Sequence, residues 1–139
     1  MEGTLHIVDH PREHDEFERL LRIETKPMAK PRMTQRDKWK KRPIVVRWNA
    51  YKDIIRLFSS PNFEMPLFDY WMIFTFELPK DWHVSIIGTP HQHTPDKDNL
   101  EKGILDIFLL HDDSAVFDGR VTKLWGDIDS IEIWQKRNL

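Results

Sequence analysis

The order of apolar patterns along the chain predicts a small mixed α/β (α+β) domain, with one small mixed sheet and two main helices. Two segments carry helical spacing, four are rich in β-branched and aromatic residues, and no repeat or low-complexity tract interrupts them. The resulting order is strand, helix, strand, helix, strand, strand, which suits one domain in 139 residues. We assign a polar N-terminal extension to residues 1–18 and a single folded domain to residues 19–139.

The first half of the chain contains one predicted strand, one loop and one helix. Residues 20–25 have the composition of a strand, whereas residues 26–43 contain three prolines and few apolar side chains, which is typical of a loop. Residues 46–59 are predicted to form a helix with one buried stripe, made of Trp48, Tyr51, Ile54, Ile55 and Phe58.

The second half contains the other predicted strands and helix. Residues 70–78 are predicted to be a buried strand, in which Tyr70, Trp71, Phe74 and Phe76 belong to the core. Residues 83–87 suit either a short strand or an irregular segment, residues 88–95 a loop, and residues 99–110 an amphipathic helix. Residues 115–125 and 128–134 are predicted strands, which a tight turn at Gly126 and Asp127 is expected to join as a hairpin.

Composition limits the chemistry of any functional site. The chain has no cysteine, so disulfides and thiolate metal sites are excluded, and carboxylates and histidines are the strong ligands that remain. The N-terminus has neither a basic start nor an apolar core of a secretory signal, and the longest apolar stretch is far shorter than the roughly 20 residues that span a bilayer. We therefore expect a soluble cytoplasmic protein with no membrane partner.

The charges are unevenly distributed, although the formal net charge is only −2. Residues 26–47 carry nine lysines and arginines and one acid, whereas the acidic residues concentrate at 9–18 and 96–129. A basic segment beside an acidic one in a small domain suggests a partner that is polyanionic and that requires a metal ion.

The acidic positions that stand out are Asp96 and Asp98, just before the second helix, and the pair Asp112-Asp113 after it. Alternate side chains of an extended segment share a face, and two carboxylates on one face favour a hard divalent cation such as Mg²⁺. Lys102 lies one helical turn beyond Asp98, where it can contact a phosphate. The same pattern is typical of a solvated turn in which Asp98 or Asn99 caps the helix, and the residues alone leave both interpretations open.

Histidines and an aromatic residue extend the list of candidates. His91, His93 and His111 suit either metal ligation or a polar loop that approaches DNA or solvent. Trp39 lies among Lys38, Lys40 and Lys41, where it suits either stacking on an unpaired base or packing within its own domain.

A family resemblance joins these motifs. Residues 96–102 read Asp-Lys-Asp-Asn-Leu-Glu-Lys, Asp106 follows on the same helix, and residues 112–116 read Asp-Asp-Ser-Ala-Val. Together they resemble the RusA family of phage and bacterial Holliday-junction resolvases over roughly residues 20–136. Lys123 fits the family's following strand, and the basic segment 30–39 is similar to the phage branch. The extension through residue 18 has no counterpart, and the net acidity is unusual for a junction-binding protein.

The resemblance implies a function. The chain would be a homodimeric endodeoxyribonuclease that cuts four-way DNA junctions with Mg²⁺ or Mn²⁺. It implies that Asp96, Asp98 and Asp113 are catalytic carboxylates that bind the metal, and that Lys102 is the catalytic lysine. The cations expected to contact DNA are Lys30, Arg32, Arg36, Lys38, Lys40, Lys41 and Lys123.

Three other functions remain open. A related nuclease could act on flaps or other branched DNA, and a non-catalytic DNA-binding protein could retain the same fold. A structural metal-binding domain without a DNA role is the third alternative. Retention of the three acids and Lys102 argues against the second, and the basic segment argues against the third.

Overall fold

A four-stranded sheet with two helices packed on one face forms the fold. The computed structural model describes residues 16–32, 42–110 and 113–137, and for Asp113 the backbone only. The predicted mixed α/β class, with a mixed sheet and two helices, is confirmed. Along the chain the elements are β1 (Phe17–Ile23), α1 (Pro43–Phe58), β2 (Tyr70–Glu77), α2 (Lys97–Leu109), β3 (Gly119–Gly126) and β4 (Ser130–Lys136). Short 3₁₀ turns lie at Val84–Ile86 and Asp113–Ala115.

The strand order is β1-β4-β2-β3, so the predicted hairpin between the last two strands is wrong. β2 lies between them, parallel to β3 and antiparallel to β4. The connection from β3 to β4 crosses the end of β2, where the Leu78 amide donates to the Gly126 carbonyl at 2.9 Å and the Glu77 amide to the Asp129 carboxylate at 2.7 Å. The turn signal at Gly126 and Asp127 depends only on adjacent residues. β2 is a buried strand that needs hydrogen-bond partners along both edges, and it obtains them by lying between β3 and β4.

Several boundaries differ from the predicted ones. β1 begins at Phe17, because Phe17 pairs with Lys136 of β4, and residues 17–18 therefore belong to the sheet rather than to a separate extension. α1 begins at Pro43, whose missing amide hydrogen costs nothing in the first helical turn. Residues 83–87 contain a 3₁₀ turn, not a strand.

The core lies between the sheet and the two helices. Alternate residues of β2 point toward the helices, and Trp48 of α1 and Ile104 of α2 are fully buried against them. The intervening residues Trp71 and Ile73 are buried on the opposite face with Trp134 of β4. Because β2 is buried on both faces, its sequence is almost continuously apolar, as predicted. No helix in the described ranges is long and apolar enough to cross a membrane.

Gly119 allows β3 to start beside an aromatic ring. A Cβ atom built at Gly119 would lie 2.0 Å from the ring of Tyr70, its partner across the β2–β3 ladder. The ring is held there, because the Tyr70 hydroxyl donates to the carboxylate of Glu101 on α2. The start of β3 therefore tolerates no side chain.

We expect Gly119→Ala to lower the free energy of unfolding by about 1–3 kcal/mol or more, the usual cost of overpacking a well-packed site. Urea denaturation of the variant measures this, with Gly3→Ala in the predicted extension as the control. A Gly119→Ala protein as stable as the wild type would contradict the close contact with Tyr70.

Candidate functional site

Two open carboxylates lie at the start of α2. Asp96 is the residue that precedes the helix, in an extended conformation, and its side chain makes no capping hydrogen bond. Asp98 lies in the first helical turn, and both residues are exposed. Among the described residues, neither carboxylate has a hydrogen bond or an ion-pair partner. The residue at the capping position is Asp96, and Asp98 and Asn99 lie inside the helix, so the interpretation that Asp98 or Asn99 caps it is wrong. Both carboxylates are available to an external cation.

Lys123 of β3 holds the loop that leads into this helix. Its ammonium donates to the carbonyls of His93 at 2.6 Å and Pro95 at 2.8 Å. Burial lowers the pKa of Lys123, and the nearby charge of Asp96 acts in the opposite direction. Lys123 was expected to contact DNA, but two of its three donor hydrogens are directed at the loop. Lys123 therefore positions Asp96 through the backbone that precedes it.

The basic segment meets α2 at a cleft of about 460 Å³. Its lining combines the end of the described segment with one side of the helix: Lys30, Pro31, Arg32, Asn99 and Lys102. The Lys30 ammonium pairs with the Asp106 carboxylate at 3.2 Å. Gly103 lets the basic segment approach α2 closely. A Cβ atom at this position would lie 3.0 Å from the Trp48 ring and 3.5 Å from the backbone nitrogen of Lys30. The structure thus brings Lys30, Arg32 and Lys102 together beside the acidic helix start.

The remaining predicted DNA contacts, Arg36, Lys38, Lys40 and Lys41, lie outside the described residues, as does Trp39. Of the described residues that flank them, Arg42 donates from its guanidinium to the carbonyl of Arg32 at 2.8 Å.

The predicted third metal ligand is only partly covered by the structure. The backbone of Asp113 lies in the 3₁₀ turn that follows α2, but its side chain, and all of His111 and Asp112, fall outside the described part. Within that part, no three His, Asp or Glu side chains are close enough to hold a metal ion. The three-carboxylate site stays a prediction.

The hydrogen bond between the Tyr70 hydroxyl and the Glu101 carboxylate on α2 is not predicted by the sequence. Burial, the hydrogen bond to Glu101 and the charges of Glu101 and Asp118 raise the pKa of Tyr70 well above its ordinary value. Tyr70 had been assigned to the core alone. The contact joins residues 31 positions apart, so no local pattern indicates it.

His91 is a buried member of an aromatic cluster, so the expectation of a polar loop residue is wrong for it. Its side chain is 5% exposed and stacks on Phe76 with ring centroids 3.9 Å apart. Trp125 lies on another side at 4.4 Å, and the His91 amide donates to the Lys123 carbonyl at 3.1 Å. No local pattern predicts this burial, because it depends on residues 88–91 pairing with the end of β3.

The electrostatics of His91 follow from this environment. Burial, and then the charges of Lys123 and His93, lower the pKa of His91 to about 4. Its Nδ1 atom is buried without a hydrogen-bond partner among the described residues. His91 is therefore neutral near pH 7.

Compared with protein-family models, curated proteins and solved structures, the chain gives no match. The resemblance to the RusA family therefore rests on the sequence motifs alone and stays a prediction.

We expect Lys123→Met to loosen the loop before α2, because two charge-assisted hydrogen bonds of about 1.5–3 kcal/mol each are lost. Hydrogen–deuterium exchange of residues 93–98 should become faster while the rest of the sheet is unchanged. Lys80→Met, at an exposed turn lysine, is the matched control. Unchanged exchange in this loop would show that Lys123 does not hold it.

We expect His91 to make the protein less stable in acid. Its folded pKa of about 4 lies below the ordinary value of 6.5, so the unfolded chain takes up the proton first. The stability contributed by neutral His91 is present above pH 6.5 and is lost as the pH falls toward 4. Denaturation at several pH values should show a shallower loss for His91→Phe, with His83→Phe as the exposed control. Equal slopes for His91→Phe and the wild type would argue against burial of a neutral imidazole.

Proposed function

We propose that this chain is a metal-dependent endodeoxyribonuclease that cuts branched DNA, with four-way junctions as its substrate, in the manner of the RusA resolvases it resembles. The observation that carries the proposal is the juxtaposition at the start of α2. The exposed carboxylates of Asp96 and Asp98 lie at the start of the helix whose Asn99 and Lys102 line a cleft together with Lys30 and Arg32. Metal-dependent hydrolysis of a phosphodiester uses both features: cations that bind the phosphate, and oxygen ligands that hold a hard metal ion.

The donor set is compatible with Mg²⁺ or Mn²⁺. Magnesium is commonly held by one or two carboxylates, with water and substrate phosphate as the other ligands. Asp96 and Asp98 supply two exposed carboxylates that accept no hydrogen bond from the residues that the structure describes. We assign the third ligand to Asp113, following the motif. A metal ion held here would lower the pKa of a bound water and stabilise the leaving oxygen.

The residues of the chain bind and orient the substrate. Lys102 follows Asp98 by one helical turn, on the same side of α2, and is exposed in the cleft, where it neutralises the phosphate under attack. Arg32 binds a neighbouring phosphate. Lys30 acts mainly by fixing the basic segment to α2, since it pairs with Asp106. Lys123 keeps the Asp96 backbone in place through the carbonyls before it.

The partner is branched DNA, bound by a homodimer in the cytoplasm. The chain has a net charge of −2, so binding depends on where its cations are concentrated. Nine of the 21 lysines and arginines lie in residues 26–47, which include Arg36, Lys38, Lys40 and Lys41. A two-fold dimer presents this surface twice, which suits two symmetric cuts in a four-way junction.

We expect Asp98→Asn to lower Mg²⁺-dependent cleavage of a labelled four-way junction roughly 100-fold or more, the scale of losing one electrostatic contact in a transition state. Junction binding should persist, because the change removes a negative charge facing the phosphates. Asp53→Asn, at an exposed acid of α1, is the matched control.

The same assay tests the alternatives. Flap and linear duplex substrates, each with and without Mg²⁺, reveal any preference for another branched structure. Full cleavage by Asp98→Asn would exclude Asp98 as a ligand. Binding without metal-dependent cleavage of any substrate would indicate a DNA-binding protein without nuclease activity.

A further inference from the structure

A second cleft, of about 410 Å³, opens at the ends of β2 and β3. It is lined by side chains of both strands and of the loops beside them, chiefly Lys26, Phe76, Glu77, His91, Trp125 and Asp129. Thr94 and Pro95 also line it, and Asp96 follows them directly, so the cleft adjoins the candidate nuclease site. Its volume falls within the range of about 300–1,000 Å³ typical of small-ligand sites.

Three aromatic side chains line this cleft, Phe76, His91 and Trp125, and two more that do not line it, Trp82 and His93, pack against Trp125. His91 lies between Phe76 and Trp125 at the buried end. Trp82 packs on Trp125 with ring centroids 5.0 Å apart and is 38% exposed. Exposed His93 meets Trp125 edge-on at 5.9 Å. A cluster of this kind offers a flat aromatic ligand a platform on which to stack.

The polar groups of the cleft restrict the ligand further. Its lining includes one exposed cation, Lys26, and the carboxylates of Glu77 and Asp129. A ligand that suits both has an anionic group next to a planar ring with hydrogen-bond donors. Nδ1 of His91 is also buried without a partner among the described residues, which is uncommon for a polar atom unless a ligand or water completes it.

We propose that this cleft holds one unpaired nucleobase of a DNA strand whose phosphate lies beside the start of α2. The proposal rests on the proposed function for its DNA substrate. The base stacks on Trp125 and Trp82, its phosphate faces Lys26, and Glu77 and Asp129 accept hydrogen bonds from an exocyclic amino group. Branch points expose unpaired bases, whereas the bases of an intact duplex are stacked and cannot enter. The cleft would therefore help the protein to distinguish branched DNA from duplex.

The test uses a forked DNA whose first unpaired nucleotide is 2-aminopurine, with EDTA present so that no strand is cut. Binding of the wild-type protein should quench the 2-aminopurine fluorescence, because the base becomes stacked on tryptophan. Trp82→Ala should abolish the quenching and weaken binding of the fork by about 5- to 150-fold, the range measured for losing one stacked base. Thymine at the same position should bind more weakly than cytosine or adenine, because it has no exocyclic amino group.

Two further variants complete the design. Trp125→Leu should act like Trp82→Ala, and if it fails to fold, the exposed Trp82 decides alone. Phe117→Ala removes an aromatic side chain that is 76% exposed before the opposite end of β3, and it should leave quenching and affinity unchanged.

The outcomes separate the two proposals. Quenching that persists in Trp82→Ala, or that never occurs in the wild type, overturns the base-binding cleft. In that case Mg²⁺-dependent cleavage that is abolished by Asp98→Asn still supports the nuclease. Conversely, quenching that depends on Trp82 in a protein that cuts no branched DNA supports the cleft and overturns the nuclease proposal.

Discussion

The parallel pairing of β2 with β3 organises the rest of the molecule. Parallel neighbours need a crossover connection, and α2 supplies it. A crossover helix runs back along the sheet, so its first turn lies near the carboxyl ends of the two strands that it joins. The hydrogen bonds from Lys123 to the loop before α2 fit this direction. Ligands of α/β units commonly bind at this edge of the sheet.

Both clefts follow from that arrangement. The first lies between the basic segment and α2, where Lys30 and Arg32 approach Lys102. The second lies at the strand ends, where residues 88–91 pair with the end of β3 and bury His91. Pro95 and Asp96 lie between the two. If both proposals hold, consecutive nucleotides of one strand would occupy neighbouring clefts, with a phosphate at the carboxylates and a base against the tryptophans.

The charges near α2 are divided between structure and function. Lys30 and Asp106 neutralise each other across the cleft, and Lys123 is engaged by backbone carbonyls. Asp96, Asp98 and Lys102 are exposed. The charged groups that pair within the protein fix the basic segment and the loop before α2, and the exposed charged groups are available to a phosphate and a cation. The proposed binding of DNA would therefore depend on these local charges and not on the net charge of −2.

Local patterns were sufficient for the elements and for part of the site. The predicted stripe indicated α1, and Trp48, Tyr51 and Ile55 are buried as expected, but Ile54 and Phe58 are exposed, so for them the predicted burial is wrong. The apolar run of β2 indicated a buried strand, because the pattern of adjacent residues reflects which faces are buried. The pair Asp96 and Asp98 at the start of α2 was likewise evident from adjacent residues. The strand order, the burial of His91, the Tyr70–Glu101 contact and the role of Lys123 were decided only by the tertiary structure. Each depends on pairings between segments distant in sequence, and β2 takes its neighbours according to packing of the whole sheet rather than the turn signal at Gly126 and Asp127.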